Sequence, residues 1–105
     1  MPRPRRRRRV YFRPSITYFK PAGARLAHLE ESILTIDELE AIRLTDLLET
    51  PQKQAAKKMN ISQSTFHRII SSARKKLADA VVNGKAIRVE GGNYIMAGRR
   101  RRGRF

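Results

Sequence analysis

The chain has 105 residues, no cysteine, and 24 Lys and Arg against 9 Asp and Glu, which gives a formal net charge of +15. This composition allows one small domain with a modest core, excludes disulfides, thiolate metal sites and a cysteine nucleophile, and predicts a polyanionic partner. Because no apolar run approaches the about 18 residues of a membrane span and the basic N-terminus lacks the apolar stretch of a signal peptide, we expect a cytoplasmic protein without membrane contact.

The positive charge is concentrated at the two ends of the chain. Residues 1–13 contain seven arginines and residues 99–105 contain five, and neither segment contains an acidic residue. Segments of this composition cannot bury a core. We therefore predict two disordered, arginine-rich tails, at 1–13 and 99–105, on either side of a single domain at 14–98.

The domain is predicted to begin with a segment that is not helical. Residues 10–22 are apolar and aromatic but are interrupted by Pro14 and Pro21, and proline blocks the extension of a helix. We predict an extended segment whose aromatic side chains pack on the domain. A single helical turn is the most that is predicted within residues 24–33.

A capping box marks the start of the first predicted helix, 36–48. The hydroxyl of Thr35 is placed to accept the backbone N–H of Glu38, whose carboxylate reaches back to the N–H of Thr35. Helical spacing also gives this helix a broad apolar arc. The arc is formed by Ile36, Leu39, Leu44, Leu47 and Leu48.

A short second helix, 51–59, and a sharp turn are predicted next. Thr50 and Pro51 are typical of an N-cap and of the first helical position. Asn60 is expected to adopt the left-handed backbone conformation that the turn requires. Ile61 is expected to be buried beneath the turn.

The third helix, 62–83, is predicted from its caps and its periodicity. Ser62 is a good N-cap, and Gly84 follows the last turn, where glycine commonly ends a helix. Apolar residues recur with helical spacing for more than four turns. They are Phe66, Ile69, Ile70, Ala73, Leu77, Ala80 and Val81.

Two short strands, 86–90 and 93–96, are predicted after the third helix. Gly91 and Gly92 between them are typical of a tight turn, so the pattern predicts a C-terminal β-hairpin. The hairpin would serve as a wing or as a dimer contact. Residues 10–19 are the second candidate interface of a homodimer, because both segments offer more apolar surface than so small a domain covers.

Helices 51–59 and 62–83 and the turn between them have the spacing of a helix-turn-helix, within 51–83. In that motif the second helix enters the major groove of DNA. Its outward face is polar and carries no acidic residue before Asp79, and its side chains suit base edges and phosphates. The candidate DNA-binding residues are Gln63, Ser64, Thr65, His67, Arg68, Ser71, Arg74 and Lys75. A helical hairpin that only packs a core, with a solvated polar face, is the alternative.

The same residues carry a resemblance to known families. Residues 54–66 resemble the helix-turn-helix in region four of sigma-70-type factors, and nearly the whole chain resembles an uncharacterised prokaryotic family of small proteins thought to bind DNA. The matching stretches are 1–4, 18–23, 34–44, 78–86 and 90–92. The resemblance implies a transcription-related role. Members of that family often have cysteines near the N-terminus, where this chain has arginine and aromatic residues, and the arginine-rich C-terminal tail lies outside the pattern.

Glu40 and Arg43 fall on the inner arc of the first predicted helix, and buried charges need partners. In similar helix-turn-helix domains an acid at this place pairs with a base of the recognition helix. We therefore expect Glu40 to pair with Arg68 or Arg74. A surface pair that contributes little is the alternative.

Together these features predict a mainly α fold, with a sigma-70 region-four-like helix-turn-helix, a C-terminal β-hairpin and disordered arginine-rich tails. The predicted function is double-stranded DNA binding by a nucleoid-associated transcription regulator. The alternatives are an architectural or RNA-binding protein that acts through its tails and a module that docks on polymerase. We expect no enzyme, since no nucleophile–base pair or phosphate-binding glycine loop is present, and no cofactor or metal, since His28 and His67 are far apart in sequence.

Overall fold

The computed structural model describes residues 7–97, apart from the side chain of Leu26. Within these residues the fold has five short strands and three α-helices. The predicted disorder of residues 1–6 and 99–105 lies outside these residues. The elements are β1 (Arg8–Val10), β2 (Tyr18–Phe19), a 3-10 turn (Leu26–His28), β3 (Glu31–Leu34), α1 (Ile36–Ile42), a π-helical segment (Arg43–Leu47), α2 (Gln52–Lys58), α3 (Gln63–Asn83), β4 (Ala86–Val89) and β5 (Tyr94–Met96).

The predicted capping box at the start of α1 is confirmed. The Thr35 hydroxyl accepts the N–H of Glu38 at 3.4 Å, and the N–H of Thr35 donates to Glu38 Oε1 at 3.0 Å. The caps of α3 are confirmed as well, since the Ser62 hydroxyl accepts the N–H of Thr65 at 3.1 Å and Gly84 ends the helix with φ 66°. The residues that form each cap are close in sequence, and their chemistry is sufficient to set these helix ends.

The apolar arc predicted for the first helix is wrong at its C-terminal end, because Leu47 is 71% exposed and Leu48 is 54% exposed. The helix continues past α1 as a π-helical segment, in which the N–H of Leu48 bonds to the carbonyl of Arg43. A π turn holds one residue more than an α turn. The extra residue shifts the helical phase and rotates both leucines away from the core.

The predicted start of the second helix is one residue too early. Pro51 has an extended ψ of 144° and is itself the N-cap, so Gln52 is the first helical residue. The N–H of Thr50 donates to the carbonyl of Leu44 at 2.8 Å and closes the preceding helix. Thr50 therefore ends one helix rather than capping the next.

The stripe predicted for α3 is buried except at Leu77, which is partly buried, and at Val81, which is 78% exposed. Val81 lies next to Ala80 near the end of α3, where its side chain stays open to solvent. The first part of the stripe packs on α1 and α2, around a core that includes Leu44, Met59, Phe66 and Ile70. Ala73 lies in a second core with residues of β1, β3 and β4. Two cores thus hold α3 in place.

The predicted C-terminal hairpin is wrong. In a three-stranded sheet, β4 lies between β2, to which it is antiparallel, and β3, to which it is parallel, whereas β5 pairs in parallel with β1 in a second sheet. Both edges of β4 are occupied, so β5 cannot pair with it. Gly91 and Gly92 have φ 73° and 103° and carry the chain from one sheet to the other.

Strand β1 lies inside the segment that composition assigns to the N-terminal tail. Its last residue, Val10, is 1% exposed and belongs to the second core. Residues 8–10 are therefore part of the fold. Among residues 7–97, no helix has both the length and the apolarity needed to cross a bilayer.

Candidate nucleic-acid interface

The connection between α2 and α3 is a tight turn with one strained residue. Asn60 has φ 60°, as predicted, and the N–H of Ile61 bonds to the carbonyl of Ala56 at 3.0 Å. Ile61 is only partly buried against the first core, not fully as expected. Ala55 and Ala56 are 0% and 2% exposed, and their small side chains allow α3 to cross α2 closely. The start of α3 is thereby fixed relative to α2.

One side of α3 presents an exposed polar surface that extends from Gln63 to Lys75. At a rise of about 1.5 Å per residue this surface is about 18 Å long. Seven of the eight residues predicted to bind DNA are exposed and share this side of the helix: Gln63, Ser64, His67, Arg68, Ser71, Arg74 and Lys75. The spacing of the sequence therefore brings these residues together.

The eighth predicted residue, Thr65, is engaged in the helix cap. Its N–H donates to the Ser62 hydroxyl, and the two side-chain oxygens are 2.9 Å apart. Thr65 is half-buried, with Arg68 Nη2 3.5 Å from its hydroxyl. Thr65 shapes the end of α3 and leaves Arg68 as the exposed group beside it.

Arg74 is held by a carboxylate of the π-helical segment. Its guanidinium makes a two-point contact with Asp46, with Nη2–Oδ1 at 2.7 Å and Nε–Oδ2 at 3.2 Å. The hydrogen bond to Asp46 raises the pKa of Arg74 above its ordinary value. By contrast, Arg68 and Lys75 form no ion pair with a carboxylate of the described residues. These two side chains are the cations of the surface that remain available to a ligand.

The partner predicted for Glu40 is wrong, because its carboxylate pairs with Arg43 and not with Arg68 or Arg74. Arg43 Nε and Nη2 lie 2.8 and 2.9 Å from the two carboxylate oxygens, and the N–H of Tyr11 donates to Oε2 at 3.0 Å. Residues three apart on a helix are neighbours, so Arg43 reaches Glu40 before any side chain of α3 can. The buried carboxylate thus fastens the N-terminal segment to α1.

Sequence reasoning missed Arg8, which lies beside the first turns of α3. A cleft of about 350 Å³ is lined by Arg8, Asn60, Ile61, Ser62, Thr65, Arg68 and Asn93. Arg8 Nη1 is 3.6 Å from Asp37 Oδ2, and the side chain of Arg8 is only 14% exposed. Composition assigned Arg8 to a tail because it lies within a run of arginines. The apolar Val10, two residues later, was a signal of burial.

Exposed lysines lie along α2, the helix that leads into this turn. Lys53, Lys57 and Lys58 are all exposed, which adds positive charge on the helix that precedes the polar surface.

As for metal ligands, no three His, Asp or Glu side chains within residues 7–97 lie close enough together to hold an ion.

Comparison with known proteins relates the whole described chain to one family. Residues 1–97 match a family model described as protein of unknown function DUF134. The chain is similar to a UPF0251 protein of Caldanaerobacter subterraneus subsp. tengcongensis, at 59% identity over 98% of this chain and 87% of the relative. It is also similar to UPF0251 proteins of Moorella thermoacetica (57% identity, 93% and 66% of the two chains) and Desulfosudis oleivorans (53%, 93% and 71%). No solved structure matches the chain.

Proposed function

The chain belongs to the DUF134 family, and from its geometry we propose that it binds double-stranded DNA through the first half of α3. The carrying observation is the surface from Gln63 to Lys75, which is exposed, polar and basic on a helix that two cores hold in place. Its length of about 18 Å and the diameter of a helix suit a major groove about 12 Å wide.

The arrangement of α2 and α3 supports this proposal, because two helices joined by a tight turn have the layout of a helix-turn-helix. In that motif the second helix lies in the groove and the first crosses the phosphate backbone. The exposed lysines of α2, at positions 53, 57 and 58, are suited to phosphates, and contacts with phosphates give affinity without sequence preference. Arg68, near the start of α3, is suited to a guanine edge, so we assign base contacts to this end of the helix.

We place the protein among nucleoid-associated transcription regulators. Such regulators bind two DNA half-sites, and a homodimer would supply one recognition helix for each of them. The hairpin offered as one dimer contact does not exist. The other candidate, residues 10–19, exposes apolar side chains, with Phe12 45%, Ile16 61% and Phe19 51% exposed. Dimerisation through this segment stays a prediction, which sedimentation at tens of micromolar checks.

The test compares two exposed cations of α3 after selection of bound sites from a random duplex pool. Arg68→Ala should cost about 1–3 kcal/mol on the best site and relax the preference at one base pair. Lys75→Ala, the matched control, should weaken binding to all sequences alike and lower the salt slope by about 0.9. Both side chains are exposed, so thermal unfolding should be unchanged in both variants.

Two results would overturn the assignment. If Arg68→Ala is as stable as the parent and binds every duplex in the same rank order, α3 does not contact bases. If the parent binds single-stranded RNA and unrelated duplexes as tightly as the selected site, the arginine-rich tails carry the function.

A further inference from the structure

Strand β1 is fixed beside the turn that leads into α3. The N–H of Arg9 donates to the carbonyl of Met59, the residue that ends α2, at 3.0 Å. The N–H of Arg8 donates to the carbonyl of Asn93 at 3.3 Å. Val10, the last residue of the strand, is buried in the second core. The backbone at residue 8 therefore has a set position relative to the first turns of α3.

The cleft between β1 and α3 has a basic lining. Arg8 lines it on β1 and Arg68 lines it on α3, and none of the described residues around it is acidic. The side chain of Arg8 is largely enclosed by the protein, whereas Arg68 is exposed. Two arginines on the walls of one cleft of about 350 Å³ favour an anion between them.

Both guanidinium groups retain hydrogen-bond donors for such an anion. Within residues 7–97 the ion pair of Arg8 is with Asp37 alone, at 3.6 Å between Nη1 and Oδ2, and Nη2 of Arg68 is 3.5 Å from the Thr65 hydroxyl. Both distances exceed the about 2.7–2.9 Å of a charge-assisted hydrogen bond. Because a guanidinium carries several N–H donors, Asp37 holds the side chain of Arg8 without occupying all of them.

The position of β1 indicates which anion of a duplex reaches this cleft. A helix about 10–12 Å across fills a major groove about 12 Å wide. A strand packed beside the first turns of α3 therefore cannot enter the groove with the helix and meets the wall of the groove instead. That wall is formed by backbone phosphates, which arginine binds through paired N–H donors. The cleft thus suits a phosphate of the duplex rather than the edge of a base.

We propose that Arg8 binds a backbone phosphate next to the base pair that Arg68 contacts, so that β1 is part of the DNA interface beside α2 and α3. This inference rests on the proposed function, since it takes the first turns of α3 as the part that enters the major groove. A phosphate contact fixes the position of a protein on the duplex and carries no sequence preference of its own. Arg8 thereby aligns Arg68 with its base pair.

The experiment compares Arg8→Gln with Arg9→Gln in the full-length protein. Arg9 is the matched control, because it is the next residue of β1, has the same charge and is exposed on the other face of the strand. Arg8→Gln should weaken binding to every duplex about tenfold, keep their rank order and lower the salt slope by about 0.9. Arg9→Gln should weaken binding less than about twofold, since water and salt screen an exposed charge.

Loss of Arg8 leaves Asp37 buried without its counter-charge, so the stability of each variant is measured by thermal unfolding. Both exchanges are therefore repeated in an Asp37→Asn background, in which no buried carboxylate loses its partner. The difference between Arg8→Gln and Arg9→Gln in affinity and salt slope should persist in that background. If it disappears there, the contact with a phosphate is refuted, because the loss then came from the unpaired carboxylate.

Duplexes in which one phosphate at a time is replaced by a neutral methylphosphonate supply an independent readout. One such position, beside the base pair at which Arg68→Ala relaxes the preference, should weaken the parent and Arg9→Gln about tenfold and leave Arg8→Gln unaffected. Equal losses in the two variants, or the same methylphosphonate profile for both, would overturn the inference. In that case an intact effect of Arg68→Ala on base preference would show that the proposed function still stands, whereas a parent with no duplex preference would overturn both.

Discussion

Replacing Glu40 by glutamine should destabilise the protein far more than breaking a similar pair at the surface. The Glu40 side chain is 0% exposed and that of Arg43 is 22% exposed. Its carboxylate accepts three hydrogen bonds, two from Arg43 and one from the N–H of Tyr11. Glutamine keeps the volume, but its amide NH2 would face one of these donors, and Arg43 would lose its counter-charge.

The magnitude follows from burial. Removing one partner of a buried ion pair costs about 3–5 kcal/mol, and since water reaches part of Arg43 we expect the lower end, about 3 kcal/mol. The pair between Arg74 and Asp46 has similar distances, but its side chains are 48% and 39% exposed. Asp46→Asn should therefore cost less than about 1 kcal/mol.

Urea unfolding at pH 7 and 25 °C, followed by the circular dichroism of the helices, measures both variants. In a domain of this size 1 kcal/mol shifts Tm by about 4–8 °C, so Glu40→Gln should also lower Tm by at least about 12 °C. The slope of the free energy of unfolding against urea should be unchanged. Equal losses in the two variants would refute the argument that burial sets the value of these pairs.

Two further predictions concern the start of α1. Burial raises the pKa of Glu38, but hydrogen bonds from Lys76, Thr35 and Ser72 outweigh it and lower the pKa below its ordinary value of 4.5; the stability that Glu38 contributes is thus present above pH 4.5 and is lost as the pH falls through the folded pKa. Urea midpoints between pH 7 and pH 3 should show this loss in the parent, and a smaller one in Glu38→Gln. A Cβ at Gly92 would meet Asp37 Oδ1 and lie 2.8 Å from the Cβ of Thr35, so Gly92→Ala should cost about 2–4 kcal/mol by urea unfolding. Gly91→Ala is the matched control, because a Cβ there meets nothing within 4 Å. It should cost only about 1–2 kcal/mol, the penalty of a positive φ. An equal cost at both positions would contradict the steric reason.

Local chemistry was predictable from the sequence, and pairing between distant segments was not. The capping box at Thr35, the cap at Ser62 and the left-handed Asn60 each depend on residues within a few positions of one another. The partner of a strand depends on the whole topology, so adjacency in sequence wrongly suggested that β4 pairs with β5. Likewise, composition placed Arg8 in a tail because the partner of its strand, β5, lies more than 80 residues away.

The same contrast between local and long-range features applies to the candidate site. Helical periodicity predicted which side of α3 is exposed, because that depends only on the spacing of apolar residues. It could not predict that Arg74 is held by Asp46, because these residues lie 28 positions apart and their contact depends on tertiary packing. The pair of Glu40 with Arg43, three residues apart, was within reach of local spacing, but we looked for its partner on α3 instead. The phase shift at Leu47 was also hidden, because the leucine spacing suits a regular α-helix.

The parallel pairing of β1 with β5 also affects how the protein is completed during synthesis. Val10 lies beside Met96, so this contact joins segments from nearly opposite ends of the described chain, and such long-range contacts form late in folding. The three helices leave the ribosome before β5 does. We therefore expect the helices to pack first and the pairing of β1 with β5 to form last. Until β5 is made, β1 is held beside the turn into α3 by the backbone bond of Arg9 to Met59 and by the burial of Val10, without the edge bonds of a strand partner.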